Sequence, residues 1–80
     1  MTLGQFLKKA RENAGLTQKQ VADKLGYSSA QFISNFENDR ASLPLGVAKK
    51  FCKITKANEY ALAGYLKDLY WVDIQKALGI

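Results

Sequence analysis

Residues 15–26 read Gly15-Leu16-Thr17-Gln18-Lys19-Gln20-Val21-Ala22-Asp23-Lys24-Leu25-Gly26, and this stretch decides the fold. Thr17 and Gln20 form the Ser/Thr-x-x-Glu/Gln capping box that opens a helix, with Leu16 placed for a hydrophobic staple. Val21, Ala22 and Leu25 supply the apolar face. A glycine stands at each end, where it can take the left-handed conformation that stops a helix without a Cβ penalty. Gly15 therefore closes a preceding helix and Gly26 closes this short one.

Working outward, Leu3, Phe6, Leu7, Ala10 and Ala14 recur at one-face helical spacing, with Lys8, Lys9 and Glu12 opposite. After Gly26, Tyr27-Ser28-Ser29 forms a turn. A third helix follows, from about Ala30 to Asn38 (29–38 at its widest), with Phe32, Ile33 and Phe36 as its apolar positions. Either serine can cap it, and Ser28 with Gln31 would make a second capping box. Asp39 to Ser42 is a polar loop. Pro44 suits the first turn of a fourth helix, where its missing N–H is no loss. Val47, Ala48, Phe51, Cys52 and Ile54 line one face of that helix, and Lys49, Lys50 and Lys53 the other. Residues 59–78 read as one long last helix. No period-2 run or hairpin dipeptide signals a strand, so the expected fold is all-α.

Length and composition narrow the function classes. Eighty residues with 12 Lys and Arg against 7 Asp and Glu make a single small basic domain, net charge +5. Apolar residues at 48% suffice for a packed core rather than a disordered tail. One cysteine and no histidine exclude disulfide frameworks, zinc fingers and His-based catalysis, so no metal or cofactor is expected. The carboxylates form no catalytic constellation, and an enzyme is not expected. The absence of a secretory signal or membrane span, together with a lone thiol, points to a cytoplasmic setting.

Two short helices joined by a tight turn, following an amphipathic first helix, make a helix-turn-helix arrangement. Gly15-Leu16-Thr17-Gln18 through Ala22, then Leu25-Gly26, Ile33-Ser34 and Phe36-Glu37, make the resemblance specific. The chain resembles the phage-repressor and Cro/CI-type helix-turn-helix proteins, also called the XRE family, over roughly residues 3–56. The resemblance implies a five-helix, lambda-repressor-like domain. Residues 3–56 would be the DNA-binding platform, and residues 57–80 an extended C-terminal helix. It further implies a double-stranded DNA-binding transcriptional regulator of the repressor kind.

A helix on such a platform can enter the major groove with its N-terminal residues at the base edges. Ser29, Ala30, Gln31, Ser34 and Asn35 are the candidate base contacts. Gln31 and Asn35 lie one turn apart and point the same way. Each amide can pair bidentately with adenine N6 and N7, and the Ala30 methyl suits a thymine methyl, so an A·T-containing half-site is expected. The alternative is an ordinary polar surface. Gln18 begins the second helix, where exposed N–H groups and the dipole favour an anion, and the resemblance implies a DNA-backbone contact there. Asn38, Arg40 and Ser42 are placed for phosphate contact or for plain solvation, with Lys19 a weaker candidate. The resemblance also implies a structural ion pair between Arg11 and Glu37.

Two features depart from the family pattern. The Gly26-Tyr27-Ser28-Ser29 turn is one residue longer than usual, and Asp39 stands where glycine is common, bringing a negative charge near the phosphates. In the last helix, Ala63, Leu66, Tyr70, Ile74 and Ala77 form one apolar stripe, and Leu62, Tyr65, Leu69 and Val72 another. A lone surface helix needs one apolar face. The second stripe, with Trp71, is therefore expected to form a homodimer that reads a pseudo-palindromic operator, its two modules about 34 Å apart. The competing reading is an adaptor or antitoxin-type component whose last helix binds another protein.

Overall fold

The computed structural model describes residues 1–80, apart from the side chain of Ile74. It contains α1 (Leu3–Asn13), α2 (Gln18–Leu25), α3 (Gln31–Glu37), α4 (Leu45–Thr55) and α5 (Glu59–Leu78), with no strand among the described residues. The all-α, five-helix expectation is met. The Ile74 position in the first α5 stripe lies outside the described side chains.

The helix ends follow local chemistry. Thr17 Oγ1 accepts from the Gln20 N–H at 3.1 Å and Gln20 Oε1 accepts from the Thr17 N–H at 2.8 Å, completing the capping box. Thr2 and Gln5 build the same reciprocal box at the start of α1. Gly15 and Gly26 sit at φ 72° and 86°, in the left-handed region. Asn58 Oδ1 caps α5 by accepting from the Ala61 N–H at 2.9 Å.

Leu7, Val21, Ala22, Leu25, Ile33, Phe36, Phe51, Cys52, Leu62 and Leu66 make one core shared by all five helices, joined by Leu43 from the loop. Burial raises the Cys52 thiol pKa above its ordinary value, helped by the charge of Glu59. Phe6 of α1 meets Tyr65 of α5 with ring centroids 5.2 Å apart. The Tyr70 hydroxyl donates to the Leu43 carbonyl at 3.2 Å.

Several local expectations are corrected. α3 begins at Gln31 and ends at Glu37, inside the 29–38 span. The Ser28–Gln31 capping box does not form; Ser29 Oγ accepts from the Gln31 N–H at 3.3 Å instead. Phe32 lies at the edge of the core rather than in it, 43% exposed and stacked on Tyr27 at 4.9 Å. Pro44 is the N-cap of α4, one residue before its first turn. Thr55 is more deeply buried than Ile54, because its hydroxyl donates to the Phe51 carbonyl at 2.8 Å and needs no water.

The two-stripe description of α5 also changes. Leu62 and Leu66, placed on different stripes, both enter the core at 2% and 6% exposure. Leu62 is therefore unavailable to a second chain. The core-facing side of α5 bisects the two stripes, since residues four apart lie on one helix face. Beyond Tyr70 the helix loses its platform, leaving Trp71, Val72 and Leu78 exposed. No helix among the described residues is long and apolar enough to cross a membrane.

Candidate nucleic-acid interface

The first three helices meet at a charged junction. Arg11 Nε donates to Glu37 Oε2 at 2.6 Å and Arg11 Nη2 donates to Glu37 Oε1 at 3.1 Å. Arg11 Nη1 donates to the Leu16 carbonyl at 2.9 Å, tying the loop before α2 to the same guanidinium. The two side chains are 12% and 3% exposed, so the fork-shaped pair is well desolvated. Its hydrogen bond to Glu37 raises the Arg11 pKa above the ordinary value, outweighing the opposing effect of burial; the charges of Glu37 and Glu12 add to the rise. The pair thus holds the end of α3 against α1.

Gln18 is drawn into this network. Its Nε2 donates to Glu37 Oε1 at 3.1 Å, which fixes the carboxamide at the first position of α2. Lys19 is exposed and donates to Asp23 Oδ1 at 2.9 Å, one turn along the same helix.

On α3 two of the candidate base-reading residues are linked to one another, and a third is linked to the phosphate candidate Asn38. Gln31 Nε2 donates to Asn35 Oδ1 at 2.9 Å. Asn38 Nδ2 donates to the Ser34 carbonyl at 2.8 Å and approaches Ser34 Oγ at 3.3 Å, closing the C-terminus of the helix. That amide is therefore engaged in capping rather than pointed freely at solvent. Ser29 and Gln31 are exposed; Ala30, Ser34 and Asn35 are half-buried. Ile33, Phe36 and Glu37 turn inward.

The loop after α3 is built on the same helix. The Arg40 and Ala41 N–H groups both donate to the Asn35 carbonyl, at 2.9 and 3.3 Å. Arg40 and Ser42 are exposed there. Asp39 takes a left-handed φ of 57°, and its carboxylate turns to α1. There it accepts from the Gly4 N–H at 2.9 Å and the Thr2 hydroxyl at 2.7 Å. This tie was missed in the sequence, as was Leu43, which is 1% exposed. Thr2-x-x-Gln5 was a legible capping box, but nothing local says that a carboxylate from residue 39 reaches it. Leu43 stands alone between polar residues and Pro44, where periodicity carries no signal.

The structure thus gathers Gln18, Gln31, Asn35, Asn38 and Arg40 around α3 and its flanks: Gln18 bonds to Glu37, Gln31 to the Asn35 side chain, Arg40 to the Asn35 carbonyl and Asn38 to Ser34. Of the α5 candidates, Tyr65 and Leu69 line a cleft together with Asp39, Ala41 and Ser42 of the loop after α3. Tyr65 is half-buried against Phe6, Leu69 is 38% exposed, and Trp71 and Val72 are about half exposed.

A family model described as helix-turn-helix matches residues 7–59, spanning most of α1 through α4 and reaching the first residue of α5. Over 39 residues the chain is 49% identical to the HTH-type transcriptional regulator ImmR of Bacillus subtilis (strain 168). That stretch is 49% of this chain and 30% of the relative, so the match spans under a third of the relative's length. No solved structure matches significantly. With most of α1 and all of α2, α3 and α4 inside the matched region, the chain belongs to the helix-turn-helix family, of the phage-repressor or XRE type.

Proposed function

We propose that this chain is a sequence-specific, double-stranded DNA-binding transcriptional regulator, a repressor acting in the cytoplasm, that reads the major groove with α3. The observation that carries this reading is the outward Gln31–Asn35 amide pair on a seven-residue helix. The buried Arg11–Glu37 pair braces that helix from behind. A major groove about 12 Å wide admits one helix, and short amides on its first turns reach base edges. The matched relative is named a transcriptional regulator, which agrees.

In this reading Ser29, Ala30, Gln31, Ser34 and Asn35 face the bases. Gln18, Lys19, Arg40 and Ser42 contact phosphates, with the α2 N-terminus adding its exposed N–H groups. Asn38 has the smaller share, since its amide already closes α3. The operator is pseudo-palindromic and the regulator a homodimer through Leu69, Trp71 and Val72, with Tyr65 at the margin. The apolar surface of the second half of α5 supports that interface. The same surface is the one observation favouring an adaptor that binds a different protein.

Selection from random-sequence DNA at two salt concentrations tests the proposal. A defined site should be enriched, and affinity should fall steeply as salt rises. Failure to retain DNA even at low salt would reject it in favour of the adaptor.

A further inference from the structure

Arg40 and Ser42, the exposed phosphate candidates that follow α3, lie on a stretch of chain outside the helices. That stretch is fixed at both ends. At the far end Leu43 is buried in the core, and its carbonyl accepts from the Tyr70 hydroxyl of α5 at 3.2 Å. At the near end Asp39 holds its left-handed φ of 57° with one carboxylate oxygen on the Gly4 N–H and the other on the Thr2 hydroxyl. The turn at Asp39 sends the Arg40 and Ala41 N–H groups back to the Asn35 carbonyl, so the segment leaves α3 in one direction.

We infer that Asp39 is a positioning residue for DNA-backbone contact: by tying the start of this segment to α1 it sets Arg40 and Ser42 in place before DNA arrives. This rests on the proposed phosphate-contact role of those two residues and goes beyond it. Two effects of Asp39 oppose one another. Its negative charge repels nearby phosphates, and on that ground alone its removal tightens binding. Its tie to α1 removes the cost of ordering the segment on contact, and on that ground its removal weakens binding. Both carboxylate oxygens are engaged with hydrogen-bond donors at the positive end of the α1 dipole, which offsets the charge locally. Positioning therefore outweighs repulsion, and the two effects are separable because they differ in sign.

Asp39→Asn separates them. Asparagine tolerates the left-handed region, and its Oδ1 still accepts from the Gly4 N–H. Its Nδ2 can donate to the Thr2 hydroxyl, which already accepts from the Gln5 N–H at 3.1 Å and has a second lone pair. The tie survives while the charge is gone. The full chain and the site it selects from random DNA are used, with circular dichroism confirming that each variant is fully folded under the titration conditions. Asp39→Ala should weaken binding to the selected site and to unrelated DNA alike, by roughly 3- to 10-fold, and lower the salt dependence as Arg40→Ala does. Asp39→Asn should bind at least as tightly as wild type. In a chain already carrying Arg40→Ala and Ser42→Ala, Asp39→Ala should cause no further loss. Binding by Asp39→Ala that equals or exceeds wild type, an Asp39→Asn chain as weak as Asp39→Ala, or a loss that persists without Arg40 and Ser42 overturns the positioning role while leaving the proposed function intact. A wild-type chain that retains no DNA even at low salt overturns both.

Discussion

The carboxylate of Asp39 caps α1 from 35 residues away, accepting from the Gly4 N–H at 2.9 Å and from the Thr2 hydroxyl at 2.7 Å. Its charge therefore meets the positive end of a helix dipole. The left-handed φ of 57° at Asp39 turns the chain so that the Arg40 and Ala41 N–H groups return to the Asn35 carbonyl. A residue that looked in the sequence like a negative charge in the wrong place is a tie between α1 and the loop that follows α3.

Removing that tie should cost stability in a graded way. Asp39→Ala loses the cap while keeping a side chain in the left-handed region, and should destabilise the fold by about 1–2 kcal/mol. Asp39→Gly also loses the cap but relieves the backbone, and should recover about 1 kcal/mol of that loss. Urea unfolding of both variants checks the order. Equal midpoints for wild type and Asp39→Ala would show that the cap contributes nothing.

The Arg11–Glu37 pair should be strongly coupled. Arg11→Ala or Glu37→Gln disrupts a buried, forked pair, and each is expected to cost about 3–5 kcal/mol. The double variant should cost much less than the sum, because neither charge is then left buried alone. Gln18→Ala removes one hydrogen bond to Glu37 and should cost about 1 kcal/mol. Additive losses in a double-mutant cycle would dissolve the pair as a unit.

Gly4 lies where the backbone of α1 packs directly on that of α3. A Cβ there would fall on the Glu37 carbonyl oxygen and 2.7 Å from that of Phe36. These are backbone atoms that cannot swing aside, so Gly4→Ala should cost at least the 1–3 kcal/mol typical of overpacking. Because the strain falls on α3, the variant should also weaken binding to the selected site. Thermal melts and DNA titrations, run side by side, measure the two effects.

Along α5, stability and self-association should separate. Leu62→Ala empties a core position and should cost about 2–5 kcal/mol. Trp71→Ser with Val72→Ser changes only exposed positions, leaving the melt of the isolated chain near wild type while favouring the 8.9 kDa species. Sedimentation across a concentration series reads this directly. An unchanged mass distribution in the Trp71→Ser, Val72→Ser variant would remove α5 from any dimer.

Arg40→Ala should weaken all DNA sequences alike and flatten the salt dependence by about one phosphate contact. A loss confined to one sequence would move Arg40 from the backbone to a base edge.

By itself the sequence determined the five helices and where α1 and α2 stop. The Thr17–Gln20 capping box, the left-handed glycines 15 and 26, and the apolar faces of α1, α2 and α4 are local signals, each written within a turn or two of the chain. The family pattern is likewise local and brought Gln18, Arg11 and Glu37 to notice, while one-turn spacing on the third helix brought Gln31 and Asn35. Tertiary structure alone decided what those side chains do to one another. That the Gln31 and Asn35 amides bond to one another depends on rotamers. That Gln18 joins Glu37, and that Asp39 reaches Gly4, depends on how three helices cross. The same holds for α5: two apolar stripes were legible, but which residues enter the core was set by the platform's position. Leu62 and Leu66 went inward together and Trp71 and Val72 stayed outside, because helix periodicity marks apolar faces without saying where the neighbouring helices end.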